Sequence, residues 1–252
     1  MEGPSLVIAC EEFAPFLGRK VSKAVGTAKL PFQRIKGHPL SEVQSWGKHF
    51  LIRFESLQLR IHFLMFGSYR INNARENRIP KLELSFGKDR IYFYSCAISV
   101  LEDPPKNIYD WSIDIMSPEW NPKKALAKVK AKPEAMVCDL LMDQEIFAGV
   151  GNIIKNEVLY NLALHPEVKV RDLTPKQLGS LVKEARSYSL QFYEWKKINQ
   201  LKRHWHIFRK KTCPECGGPV TKKPTGKGQR LSHFCKKRQK LPKSVGKMAS
   251  AE

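Results

Sequence analysis

The sequence predicts a two-domain α+β fold: an N-terminal β-sandwich with flanking helices, then a helical second half closed by a small cysteine-bearing β-hairpin. Three observations predict it. Short strand-like runs follow one another through residues 1–116, apolar residues take helical spacing after 134, and three of the six cysteines gather beyond residue 212. At 252 residues the chain is long enough for two domains that each bury a core.

In chain order, residues 11–18 read as a helix ending on Gly18, against the tendency of Pro15. Residues 49–54, 57–63, 81–86 and 90–94 are apolar or alternating and are separated by turns such as 87–89, as strands in series are. The proline-, tryptophan- and charge-rich stretch 104–133 connects the halves, with 117–133 expected as the linker between domains 1–116 and 134–203. Helices are expected over 135–143 and 153–162. A third starts with Thr174 as N-cap and Pro175 at the first position. Its Leu178, Leu181, Val182, Ala185, Ser189 and Phe192 form one stripe, the pattern of a core-facing side. Residues 204–240 make the hairpin unit, and 241–252 read as a basic, disordered tail.

Net charge is +20, and its distribution is uneven. Residues 196–247 hold seventeen lysines and arginines against one acid, Glu215, which is the footprint of a polyanion-binding surface. A membrane surface is the poorer partner, because turn residues interrupt the basic stretch and no long amphipathic helix carries it. No apolar run approaches the length of a membrane span. The start of the chain carries an acid in place of the basic region of a signal peptide, so a cytoplasmic, nucleoid-associated monomer is expected.

Between two helical patterns lies Phe147-Ala-Gly-Val-Gly-Asn-Ile153. Gly149 and Gly151 permit a tight turn or a close approach, and Asn152 can cap the helix that follows. Such a helix N-terminus is an anion site, and a DNA phosphate is one candidate anion; a structural helix–helix turn is the other reading.

Cys10, Cys96 and Cys138 lie scattered in apolar surroundings and read as reduced core residues. Cys213-Pro-Glu-Cys216-Gly-Gly has the form of a zinc knuckle, and Cys235 follows after eighteen residues. Tetrahedral zinc requires a fourth ligand, which the spacing places at 238, where Arg238 stands. His233 is the nearest substitute, water is another, and a finger without metal is the third possibility.

These residues resemble a known family. Phe147-Ala-Gly-Val-Gly-Asn-Ile153 with Asn156-Glu-Val-Leu159, preceded by Leu140-Leu-Met-Asp-Gln144, is similar to the helix–two-turn–helix motif of the formamidopyrimidine-DNA glycosylase and endonuclease VIII family. Four further matches come in the family's order: Glu2-Gly-Pro4 at the start, Trp46-Gly-Lys48-His-Phe-Leu51, His62-Phe-Leu-Met-Phe-Gly-Ser68, and Gly228-Gln-Arg230-Leu-Ser-His-Phe-Cys235, which is similar to the zinc-finger hairpin.

The resemblance implies a base-excision-repair glycosylase with associated AP lyase activity. Its partner would be double-stranded DNA containing damaged bases or abasic sites. A flipped nucleotide is attacked at C1′ by the N-terminal amine, and β,δ-elimination from the Schiff base cuts the strand. Carried over residue by residue, Glu2 is the general acid, Lys48, Asn152 and Arg230 grip phosphates, and Met65 fills the vacated stack. Cys213, Cys216 and Cys235 supply an incomplete ligand set for a structural zinc, and no organic cofactor is expected. The chain also departs from the family. No proline precedes Glu2, so Met1 stands in the nucleophile's place; Ser5 replaces a glutamate; and residues 93–99 lack the Arg-Arg-Phe loop. An alternative is therefore a member with weakened chemistry that acts by binding damaged DNA.

Overall fold

The computed structural model describes residues 1–55 and 57–242. The expected basic tail lies outside the described residues from 243 onward. Helix α1 (Gly3–Phe13) opens the chain, earlier than the residues 11–18 read from sequence. Pro4 sits in its first turn, where a missing N–H costs nothing, and Pro15 falls in a 3₁₀ turn beyond its end.

Six antiparallel strands form one sheet in the order β1-β5-β6-β4-β3-β2: β1 (Lys23–Val25), β2 (Leu40–Trp46), β3 (His49–Phe54), β4 (Leu57–Ile71), β5 (Leu82–Phe86) and β6 (Asp89–Leu101). The long strands β4 and β6 run through both halves of the sheet, pairing Gln58 with Leu101 at one end and Ile71 with Ile91 at the other. One continuous core takes Phe50, Ile52 and Ile61 from one half and Leu84, Phe86 and Phe93 from the other, so the sheet folds over on itself as the two layers of a sandwich. Both long strands outrun the sequence expectation. Their pattern breaks where residues 64–67 bulge out of β4 opposite Ser95, which has φ +50°, and pairing resumes beyond the break. Gly67 permits the bulge: a Cβ there would lie 2.7 Å from the Ser95 carbonyl oxygen.

Helix α2 (Pro105–Ile108) begins the connection. The stretch expected as a plain linker carries α3 (Pro122–Lys130), which is capped by Asn121 and buries Ala125 and Val129 in the second core. Helices α4 (Val137–Met142), α5 (Asn152–Asn161) and α6 (Pro175–Lys197) complete the helical domain. Thr174 and Gln177 close a capping box at α6, and all six residues of its sequence stripe are buried. Strands β7 (Thr221–Thr225) and β8 (Arg230–Phe234) form the hairpin. A small junction core of Trp46, Leu51, Tyr109, Ile113 and Ala148 joins sheet to helices. Among the described residues, no helix is long and apolar enough to cross a membrane.

Candidate active site

The turn before α5 is where the two domains meet. Gly149 has φ +98°, and its carbonyl accepts the Gly3 N–H at 2.8 Å. The Gln144 side chain holds this turn from within, accepting the Gly149 N–H and donating to the carbonyls of Met142 and Val150. A Cβ at Gly3 would lie 2.9 Å from the Gly149 Cα, so backbone meets backbone. The N-terminal segment is thereby fixed against the start of α5.

The anion at this helix N-terminus belongs to the protein itself. Glu2 accepts the Ile153 N–H at Oε1 (2.7 Å) and the Ile154 N–H at Oε2 (3.2 Å). The N-cap residue is Gly151, without a side-chain cap bond, so Asn152 is not the cap that its position in the sequence suggests. Asn152 instead turns its amide to the hairpin and donates to the Leu231 carbonyl at 3.1 Å. Gly151 is required by space, since any Cβ there would overlap the Glu2 carboxyl group.

Met1, Glu2, Lys48, Met65, Asn152 and Arg230, all six residues singled out from sequence for catalysis and DNA binding, line one cleft of about 960 Å³. Ser5, Lys196 and Lys202 share its wall, so cations outnumber the single carboxylate there. Lys48 sits in the turn after β2, whose Gly47 N–H is held by the buried Asp114 carboxylate at 3.0 Å. Met65 caps the 64–67 bulge, 77% exposed beside an equally exposed Phe66. Apolar side chains so placed are unsatisfied in water and fit a wedge between stacked bases.

Burial shifts the titratable groups. It raises the Glu2 carboxyl above the ordinary carboxylate range, partly opposed by the two helix N–H groups and Lys48. It lowers the Met1 α-amine, with Glu2 opposing and Lys48 and Lys196 adding to the shift. Lys48 is lowered too, again chiefly by burial. A neutral amine and a protonated carboxyl therefore come closer to coexisting than in a free peptide, which is the pairing a Schiff-base nucleophile and its general acid need.

The sequence motif contains Asn156 and Glu157 but assigns no role to them or to Lys155, and these three consecutive polar residues of α5 are all buried. Lys155 donates to Ser232 Oγ at 2.9 Å, and burial pushes its ammonium down to about 8. Asn156 accepts the His233 N–H at 2.7 Å. Glu157 accepts the N–H groups of His206, Ile207 and Phe208 at 2.7 to 3.0 Å. These three hold the hairpin and the loop before it in register. The available signal was a run of charged and amide residues enclosed by apolar ones within a short helix. Asp139 adds a tip contact, accepting the N–H groups of Lys227 and Gly228 beside Arg230.

The cysteine sulfurs of Cys213, Cys216 and Cys235 lie within 4.8 Å of one another. A tetrahedral zinc with bonds of about 2.3 Å sets sulfurs ~3.8 Å apart, so these three could hold one. Burial raises the Cys213 thiol, but the Tyr160 hydroxyl, the Cys216 and Glu215 N–H groups and Cys235 outweigh it and bring it to about 7. His233 does not join the group. Its ring packs edge-on to Phe208 and is pushed down to about 4, mainly by burial. Arg238 is occupied elsewhere, donating to the carbonyls of Tyr160 (3.0 Å) and Asn161 (3.3 Å) and pairing with Glu215.

With this geometry in view, the likenesses to known proteins follow the domains. The formamidopyrimidine-DNA glycosylase N-terminal domain matches residues 10–96, and the formamidopyrimidine-DNA glycosylase H2TH domain matches residues 113–191. The chain is 35% identical to endonuclease 8-like 3 of Bos taurus over 212 residues, covering 81% of this chain and 35% of that protein. It is 31% identical to endonuclease 8-like 2 of Bos taurus over 192 residues, covering 70% of this chain and 56% of that one. It thus spans about a third to a little over half the length of these relatives. In fold it is similar to a viral DNA glycosylase (TM-score 0.81, 19% identity, 95% of this chain and 100% of that). It is also similar to the Lactococcus lactis formamidopyrimidine-DNA glycosylase bound to DNA containing an AP site (TM-score 0.82, 18% identity, 95% and 100%). Both domain matches, their order and the endonuclease 8-like relatives agree with the motifs along the sequence: the chain belongs to the formamidopyrimidine-DNA glycosylase and endonuclease VIII family.

Proposed function

We propose that this chain is a base-excision-repair DNA glycosylase with AP lyase activity, acting on duplex DNA with damaged bases or abasic sites through the Met1 α-amine. The observation that carries the reading is the Glu2 carboxyl group, seated on the first N–H groups of α5 beside Met1 in a basic cleft. The amine, lowered by burial, is neutral in a larger fraction of molecules at neutral pH than an ordinary α-amine and attacks C1′ of the flipped nucleotide. Glu2, raised by burial, protonates the opening sugar ring. The damaged base leaves C1′ as the amine bonds to it, or water leaves at an abasic site, and β- then δ-elimination from the Schiff base breaks the C3′–O and C5′–O bonds, leaving a phosphate on each strand end.

Flipping costs a few kcal/mol, which phosphate contacts and a wedge must offset. Lys48 and Arg230 supply cations from two sides of the cleft, and Met65 supplies the wedge. Asn152 Nδ2 fixes the hairpin through one of its two N–H bonds and keeps the second to offer a phosphate. A zinc on Cys213, Cys216 and Cys235 would crosslink the knuckle to the end of β8 and stiffen the base of the hairpin that presents Arg230.

Incubation with a duplex bearing a single abasic site tests the proposal. Strand cleavage leaving phosphate at both sides of the gap is expected. Tight, salt-sensitive binding without cleavage would overturn the lyase and leave the second reading, a damaged-DNA-binding protein, which the missing proline favours.

A further inference from the structure

Helix α5 is closed at both ends by side chains from remote parts of the chain. Its C-terminal end has a Schellman pattern: the Leu164 N–H reaches the Leu159 carbonyl, the Ala163 N–H reaches the Tyr160 carbonyl, and Ala163 takes φ +54°. The carbonyls of the last turn keep spare acceptor capacity at the negative end of the helix dipole. Arg238 fills it. Its Nε donates to the Tyr160 carbonyl and its Nη2 to the Asn161 carbonyl, while the guanidinium lies 4.9 Å from the centre of the Tyr160 ring. The third arm pairs with Glu215, between the two knuckle cysteines. Gln239, fully buried, adds a second tie by accepting the Cys235 N–H at 2.9 Å and donating to the Leu164 carbonyl at 2.8 Å.

A fourth thiolate at 238 would join the knuckle to the end of β8 through a metal. The arginine at that position joins the same two segments, and α5 as well, without one. We propose that Arg238 takes the mechanical place of the fourth metal ligand, so that the hairpin carrying Arg230 stays docked on α5 whether or not metal occupies Cys213, Cys216 and Cys235. The rigid, always-charged fork of arginine suits this task, and lysine would not reproduce three divergent contacts. The finger of this chain is then set by a helix-terminus contact, and its three-cysteine site is an accessory to that contact.

Amide hydrogen exchange across residues 230–234, measured on the whole chain with added zinc and after treatment with a strong chelator, tests the proposal. Protection in the unaltered protein is expected to change less than about twofold between the two conditions. In Arg238→Ala it should fall tenfold or more in both, and Arg238→Lys should recover only part of it. Tenfold loss of protection on chelation of the unaltered protein would overturn the proposal, as would unchanged protection in Arg238→Ala. Should Arg238→Ala fail to fold, the unaltered protein and the lysine variant still decide. The readout is structural and is independent of any activity on DNA.

Discussion

The two ends of α5 solve the same electrostatic problem with opposite chemistry. At the N-terminal end the unpaired N–H groups receive Glu2, whose charge depends on pH and whose burial already disfavours that charge. At the C-terminal end the carbonyls of the last turn receive Arg238 on their spare acceptor sites, and its donors are fixed and permanently charged. Either contact complements the helix dipole by roughly 0.3–1 kcal/mol, more where partly buried. Stability alone would favour a permanent charge at both ends. The N-terminal end instead holds a group that can gain and lose a proton beside a buried amine. On the two proposals above, one end of the helix serves chemistry and the other fastening.

Removing the acid breaks that contrast most severely. Glu2→Gln keeps an oxygen for one helix N–H but cannot donate a carboxyl proton, and a loss of about 10² to 10⁴ in the rate of abasic-strand cleavage is expected. DNA affinity should change far less. Gly151→Ala attacks the same end sterically, because its Cβ overlaps the Glu2 carboxyl group. It should lower cleavage by at least about tenfold and depress the melting temperature, since the Glu2 side chain must leave its place on the helix N–H groups.

A third prediction sharpens the contrast through pH. Lys155, fully buried near the N-terminal end, is pushed down to about 8 from an unfolded value near 10.4. Between these values the unfolded chain binds a proton that the folded chain does not, so stability rises with pH across that window. Urea unfolding at pH 8 and pH 10.4 should show the unaltered protein gaining on Lys155→Met by at most about 3 kcal/mol. An equal pH dependence in both proteins would remove Lys155 from this role. The smallest effect concerns the cleft wall: Arg230→Ala should flatten the salt dependence of DNA binding by about 0.9 log units per tenfold salt for each phosphate that Arg230 neutralises.

Much of this molecule was legible in its sequence, for reasons that differ by element. Helix α6 was plain because Thr174, Pro175 and Gln177 cap it and its apolar stripe repeats at helical spacing. The extensions of β4 and β6 were not, because the 64–67 bulge interrupts a period-two pattern that resumes beyond it. Glu2 and Asn152 were both singled out. Their relation was hidden, since a helix cap arriving from 151 residues away leaves no local trace. Arg238 looked like a missing ligand, and only the Tyr160 and Asn161 carbonyls explain what it does instead.

On the proposed function, the Met1 amine, set beside Glu2 at the start of α5, is the nucleophile. Borohydride reduction in the presence of abasic-site duplex, followed by peptide mass mapping of any adduct, tests it most directly. A covalent DNA remnant on the Met1 α-nitrogen, abolished when that nitrogen is blocked, is the predicted result. An adduct mapped to a lysine side chain such as Lys48 or Lys155, or no adduct from a protein that binds the duplex tightly, would contradict it.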